Sequence, residues 1–124
     1  MADKEEFIYR ISTEQEWEEF KKKGSSFGGE LDKSTGYYHL SKLDQVQMTL
    51  QMFFMNAKED LYLIQVDPKK LGDGLIYEAV DEVNTFPHFY GPNRTYLPLP
   101  LDSVVKAEKL TLINGNFTCS FLTQ

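Results

Sequence analysis

Gly36-Tyr37-Tyr38-His39-Leu40-Ser41, followed by Lys42-Leu43-Asp44-Gln45-Val46-Gln47-Met48-Thr49-Leu50-Gln51-Met52-Phe53-Phe54, is the stretch whose reading decides the fold. Gly36 to Leu40 reads as a strand that ends at Ser41. Ser41 is then placed to cap a helix whose apolar positions Leu43, Val46, Leu50, Phe53 and Phe54 follow the 3.6-residue period. Met48, Met52 and Met55 add apolar surface on adjoining faces, which predicts a central helix buried on more than one side.

Strand signals lie on both sides of this unit. Upstream, residues 1–6 are polar and expected to fray. Phe7 to Ile11 then reads as a strand with Phe7, Tyr9 and Ile11 on one face and Ile8 and Arg10 on the other. Thr13 and Glu16 have capping-box spacing for a short amphipathic helix through Trp17 and Phe20, which Lys21 to Lys23 and Gly24 terminate. Gly24 to Gly36 shows no sustained period and reads as a loop bordering a site. Downstream, Leu61 to Val66 is a β-rich run, Asp67-Pro68 opens a turn, and Leu75 to Glu78 is a short strand. Val104 to Ile113 and Phe117 to Leu122 flank Asn114-Gly115, a strong hairpin signal. No internal repeat is visible.

The length of 124 residues predicts one domain at about 150 residues per domain. Hydrophobic residues at 41% and charged residues at 26% are ordinary for a soluble globular chain and argue against a membrane protein. Nineteen acidic against thirteen basic side chains give a net charge of −6, which disfavours duplex nucleic acid and anionic membranes. The single Cys119 and an N-terminus without an apolar or Arg-rich targeting pattern predict a reducing, cytoplasmic setting. On that expectation, the glycosylation-type triplets at Asn93 and Asn116 are chance matches.

Several side chains are candidates for chemistry. His39 shares a predicted strand face with Tyr37 and Ser41, and reads either as a satisfied structural residue or as a proton-transfer group. The capping role accounts for Ser41, so no Ser-His-Asp triad is expected. Phe86-Pro87-His88-Phe89-Tyr90-Gly91-Pro92 places His88 and Tyr90 on one side of a proline-stiffened segment, which reads either as a site or as an aromatic turn shaped by Gly91. Arg10 in mid-strand must snorkel, pair with a carboxylate or face a cavity, and Glu78 is its most natural partner or a catalytic acid. Arg94 reads as a solvated loop charge. Two histidines and one distant cysteine give no metal-ligand spacing, so no metal is expected. Phosphate-binding glycine motifs are missing.

In these residues the chain resembles the family catalogued as domain of unknown function 952. The resemblance runs through Ile8-Tyr9-Arg10-Ile11-Ser12, Glu16-Trp17, Gly36 to Ser41 with Gln45, Val66-Asp67-Pro68 with Leu71, Tyr77-Glu78, Phe86 to Pro92 and Leu99 to Val104. It covers residues 7–112, with 113–124 as a C-terminal hairpin extension. The family is grouped by distant fold similarity with ADP-ribosyltransferase-like domains, whose cleft grips a dinucleotide. That likeness implies that Arg10 anchors phosphate or ribose, that a tyrosine stacks on a ring, and that Glu78 stabilises an oxocarbenium-like centre. Two departures stand out: Arg10 replaces the family's usual first-strand histidine, and Asn93-Arg94-Thr95-Tyr96 is inserted before Leu97.

The expectation is therefore a single α+β domain with two main helices packed on a split, mixed or antiparallel β-sheet core around a cleft. The cleft is expected to take a nucleotide-like small molecule such as an NAD-like ligand. Glu78, His39 and His88 are the catalytic candidates, and Arg10, Tyr37, Ser41, Tyr90 and Gly91 the ligand-binding ones. The leading activity is an ADP-ribosyl-type transfer, and the alternative is a non-catalytic ligand- or protein-binding module.

Overall fold

The computed structural model describes residues 7–122, so the segment expected to fray lies outside the described residues. The elements run β1 (Ile8–Thr13), α1 (Glu14–Lys23), β2 (Ser25–Ser26), α2 (Glu30–Thr35), β3 (Tyr38–His39), β4 (Ser41–Lys42) and α3 (Leu43–Phe53). After these come β5 (Leu61–Val66), β6 (Leu75–Ala79), β7 (Thr85–Phe89), β8 (Leu99–Pro100), β9 (Val104–Lys109), β10 (Thr111–Ile113) and β11 (Asn116–Thr118). The fold is α+β, and every strand pair is antiparallel. One sheet has the order β4-β1-β5-β9 and a second has β3-β7-β6. The two meet at Leu40, where the chain leaves β3 in one sheet and enters β4 in the other. No helix among the described residues is long and apolar enough to cross a membrane.

Alternation along β1 and β5 sends side chains to two separate apolar clusters, because the four-stranded sheet is covered on both faces. Ile8, Ile64 and Val66 join Phe20, Tyr38, Phe89 and Leu99 on one side. Tyr9, Ile11 and Leu63 join Val46, Leu50, Leu110 and Phe117 on the other. Phe7, expected to share that second face, precedes the strand and is exposed. The hairpin forms at Asn114-Gly115, where both residues have positive φ as a two-residue turn of this hand demands. Phe117 is buried in the second cluster, and its carbonyl accepts a hydrogen bond from Gln47 Nε2 at 3.0 Å, so the hairpin packs on α3.

Four sequence expectations are corrected. Gly24 to Gly36 is more than a loop: it contains β2 and the helix α2, whose six residues are too few to show a period. Ser41 does not cap α3. The cap is Lys42, whose backbone N–H donates to Gln45 Oε1 at 2.9 Å, while Ser41 pairs with Tyr9 inside the sheet. The helix α3 is buried on one side only, through Val46 and Leu50; Met52 and Phe53 are 65% and 70% exposed. Finally, Val104 to Ile113 is two strands broken at the buried Leu110, and the run after Phe117 turns into a 3-10 segment at Ser120–Leu122.

Backbone contact also shapes the end of β7. The Tyr90 N–H donates to the Gly74 carbonyl at 2.8 Å, and a Cβ on Gly74 would lie 2.5 Å from the Gly91 Cα. Gly91 has φ of +80°, and its own Cβ would run into Leu97. Its presence is thus explained by turn geometry and packing. Gly74→Ala should lower the unfolding free energy by about 1–3 kcal/mol through overpacking, measured by urea denaturation; an unchanged midpoint would contradict this contact.

Candidate functional site

Arg10 is the centre of the site, and its side chain is almost fully buried on β1. All five of its N–H donors are used. Nε and Nη2 donate to the two Glu16 oxygens at 2.9 and 2.8 Å; Nη1 and Nη2 donate to the two Asp32 oxygens at 3.0 and 2.9 Å; and Nη1 also reaches the His39 carbonyl at 3.1 Å. Its guanidinium stacks 4.3 Å from the centre of the Tyr38 ring. Burial opposes the charge on Arg10, but the oxygens of Tyr38, Glu16 and Asp32 outweigh it and hold the group firmly protonated. The expected Arg10–Glu78 pairing is corrected, since the partners are Glu16 and Asp32. Thr13 does cap α1 by accepting from the Glu16 N–H at 3.2 Å, while the Glu16 carboxylate is turned to Arg10.

Asp32 sits at the third position of α2, where capping-box spacing lets its carboxylate accept from the Gly29 N–H at 2.7 Å. Gly28 is required beside it, because its φ is +83° and any Cβ there would overlap the Asp32 carboxylate. The same carboxylate accepts from the His39 N–H and contacts His39 Nδ1, both at 2.8 Å. Burial opposes ionisation of Asp32, but the His39 hydrogen bonds and the Arg10 charge prevail and hold its pKa far below the usual carboxylate range. An ionised carboxylate can only accept, so Nδ1 of His39 carries a proton and Nε2 is the ring nitrogen left for the cleft.

A second imidazole repeats this arrangement. His39 on β3 lies opposite His88 on β7, and Glu78 on β6 is a diagonal neighbour of His88 on the same sheet face. Glu78 Oε1 contacts His88 Nδ1 at 2.6 Å and accepts from the Tyr90 hydroxyl at 2.7 Å. Burial pushes the His88 pKa below the ordinary histidine value in spite of its Glu78 partner, so His88 is neutral at neutral pH. The hydrogen bond to His88, aided by that from Tyr90, lowers the Glu78 pKa in turn. The Tyr37 ring packs against His39, His88 and Tyr90 at centroid distances of 4.6, 4.2 and 5.0 Å. Arg94 is drawn into this group: its guanidinium lies 4.5 Å from the Tyr90 ring centre and 3.4 Å from Glu78 Oε2.

A cleft of about 560 Å³ opens over these groups. Arg10, Glu16, Asp32, His39, Ser41 and His88 belong to its polar lining, with Glu30 and Asp81, and Leu31, Met48, Met52, Phe53 and Val80 belong to its apolar walls. The exposed methionines and Phe53 of α3 thus border the cleft. Neither imidazole Nε2 has a hydrogen-bond partner among the described residues, and neither does the Ser41 hydroxyl, which belongs to a 5% exposed residue. Tyr37, Glu78, Tyr90 and Gly91 are outside the lining. Tyr37 and Glu78 contact the histidines directly, and Tyr90 reaches His88 through Glu78. No group of three or more potential metal ligands occurs among the described residues. Glu16 and Asp32 were not anticipated as site residues. The third-position acid after Gly28-Gly29 is the sequence signal that marks Asp32.

Arg10→Met should remove about 3–5 kcal/mol of stability at neutral pH by leaving two buried carboxylates without a counter-charge. The depressed Asp32 pKa makes the wild-type contribution full above about pH 4 and lost as acid protonates Asp32 below it. The gap between wild type and variant should therefore narrow on acidification, which urea titrations across pH would measure; a gap that widens in acid contradicts the network.

Three solved structures share this fold, all of protein CC0527 from Caulobacter crescentus. Its crystal structure is 31% identical, with 90% of this chain and 93% of that chain covered and a TM-score of 0.79. A double-mutant form is 30% identical with the same coverage and TM-score, and the solution NMR structure is 31% identical, covers 90% of each chain and gives 0.73. No curated protein matches the chain. Residues 11–107 match a family model whose description is "Protein of unknown function (DUF952)", and with this match, which spans most of the described fold and both histidines, the chain belongs to that family.

Proposed function

We propose that the cleft binds a nucleoside-like small molecule and that His39 and His88 move protons at its sugar. The observation that carries this reading is the paired imidazole arrangement: each Nδ1 is held by a carboxylate, and each Nε2 is left beside the cleft without a partner among the described residues. The two Nε2 atoms and the Ser41 hydroxyl suit the O–H groups of a ribose. The Met48, Met52 and Phe53 walls suit the flat face of a base, and the cavity volume is that of a small-molecule site.

The chemistry such a site favours is glycosyl transfer. The C1′–N bond breaks with its electron pair leaving on the base, and an acceptor O–H adds its oxygen to C1′ while its proton passes to an imidazole Nε2. The cationic sugar centre that develops is favoured by the excess of carboxylates around the cleft. ADP-ribosyl-type transfer, implied by the family resemblance, breaks the same kind of bond but on a dinucleotide donor; transfer from a nucleoside is the reaction this cleft favours. In it, Arg10 would act through Asp32 on His39 and Glu78 through His88, both as positioning residues.

Incubation with a panel of nucleosides, followed by thermal shift and chromatography of released base, tests this reading. Nucleosides should raise the melting temperature by mass action, and His39→Gln or His88→Gln should cut base release by about 10²–10⁴-fold while the fold persists. The rate should hold down to about pH 6.5 and fall below it, as His88 takes up a proton at its depressed pKa. A thermal shift without base release would leave a non-catalytic binding module. No shift with any nucleoside would overturn the reading.

A further inference from the structure

We infer that the cleft selects against phosphate, so that its ligand is an unphosphorylated nucleoside-like molecule, neutral or positively charged on its base. This rests on the nucleoside reading above and specifies the charge class of the ligand. Among the described residues the titratable lining consists of four carboxylates, Glu16, Glu30, Asp32 and Asp81, one guanidinium, Arg10, the two histidines and the phenol of Tyr9. Arg10 has no donor left, since all five point to Glu16, Asp32 and the His39 carbonyl. Among the described residues no lysine borders the cleft. The nearby cations are engaged elsewhere: Lys42 Nζ donates to Thr85 Oγ1 at 3.3 Å, and Arg94 lies against Tyr90 and Glu78.

The polar groups that remain point the same way. The Nε2 atoms of His39 and His88 and the unpartnered Ser41 hydroxyl line the cleft, and a phosphate dianion has only acceptor oxygens to offer a neutral imidazole. Its dianion would also enter a region of net negative charge with low-dielectric walls, where repulsion is strongest. The pyrophosphate of a dinucleotide meets the same obstacle. A cationic base, by contrast, gains from the carboxylates and from the face of Phe53 or Phe86 on the wall.

Adenosine, adenosine 5′-monophosphate and 1-methyladenosine, whose base is cationic at neutral pH, separate these terms when titrated calorimetrically at low and high salt. Binding should rank 1-methyladenosine, then adenosine, then the monophosphate, with the last weaker than adenosine by at least about five-fold at low salt and less so at high salt. In the Glu30→Gln, Asp81→Asn double variant, which keeps the turn-capping acceptor at residue 81, that gap should shrink. A monophosphate that binds as well as adenosine, or a gap unaltered by the double variant, would overturn the inference and leave the nucleoside reading standing. Failure of all three compounds to bind would overturn both.

Discussion

The buried Arg10 guanidinium is the interaction on which the rest of the site depends. It has five donors, all used, and through them β1 is tied to α1 by Glu16, to α2 by Asp32 and to β3 by the His39 carbonyl. Taking three charges out of water is costly, and pairs of this kind return little net stability compared with apolar packing. What the network supplies is position. The six-residue helix α2 is too short to be stable by itself, and its one buried side chain is the carboxylate that Arg10 grips. Without that grip nothing of comparable strength would fix Asp32 against His39.

The two imidazoles are held by the same logic on opposite strands of one small sheet. His39 takes its carboxylate from α2, outside the sheet, whereas His88 takes Glu78 from the neighbouring strand. One dyad therefore reports on the docking of α2 and the other on the sheet itself. Tyr37 packs against both rings and keeps them at a fixed separation of 5.5 Å between centroids. The split between the sheets falls at Leu40, between His39 and Ser41, so the polar floor of the cleft is assembled across the junction rather than along one strand.

Much of this was legible in the sequence where the pattern is local. Leu61 to Val66, the Asn114-Gly115 hairpin and the α1 boundaries follow from alternation, turn chemistry and caps, and each forms as read. The pairing of His88 with Tyr90 on one face follows from the strand period, and both converge on Glu78. The partners of Arg10 were not legible, because they lie 6 and 22 residues away on helices whose own signals point elsewhere. Thr13 and Glu16 matched a capping box, which hid the use of the Glu16 carboxylate as the partner of Arg10. Met48, Met52 and Phe53 carry the apolar signature of a core, and periodicity does not distinguish a buried face from the wall of an open cleft. Arg94 is the exposed loop charge that the sequence implies, and what was not legible is its contact with Glu78 on β6 and with Tyr90 just after β7.

The central claim is that Asp32 and Glu78 hold a proton on Nδ1 of His39 and of His88, so that Nε2 is the atom each ring turns to the cleft, with His88 neutral. Nitrogen-15 chemical shifts and couplings of the imidazole rings at neutral pH measure this directly. The account predicts a protonated Nδ1 for His39 and His88 alike and an unprotonated Nε2 for His88, with the His39 pattern altered in Arg10→Met and the His88 pattern unchanged. An unprotonated Nδ1 on either ring, or a proton on Nε2 of His88 at neutral pH, would contradict it.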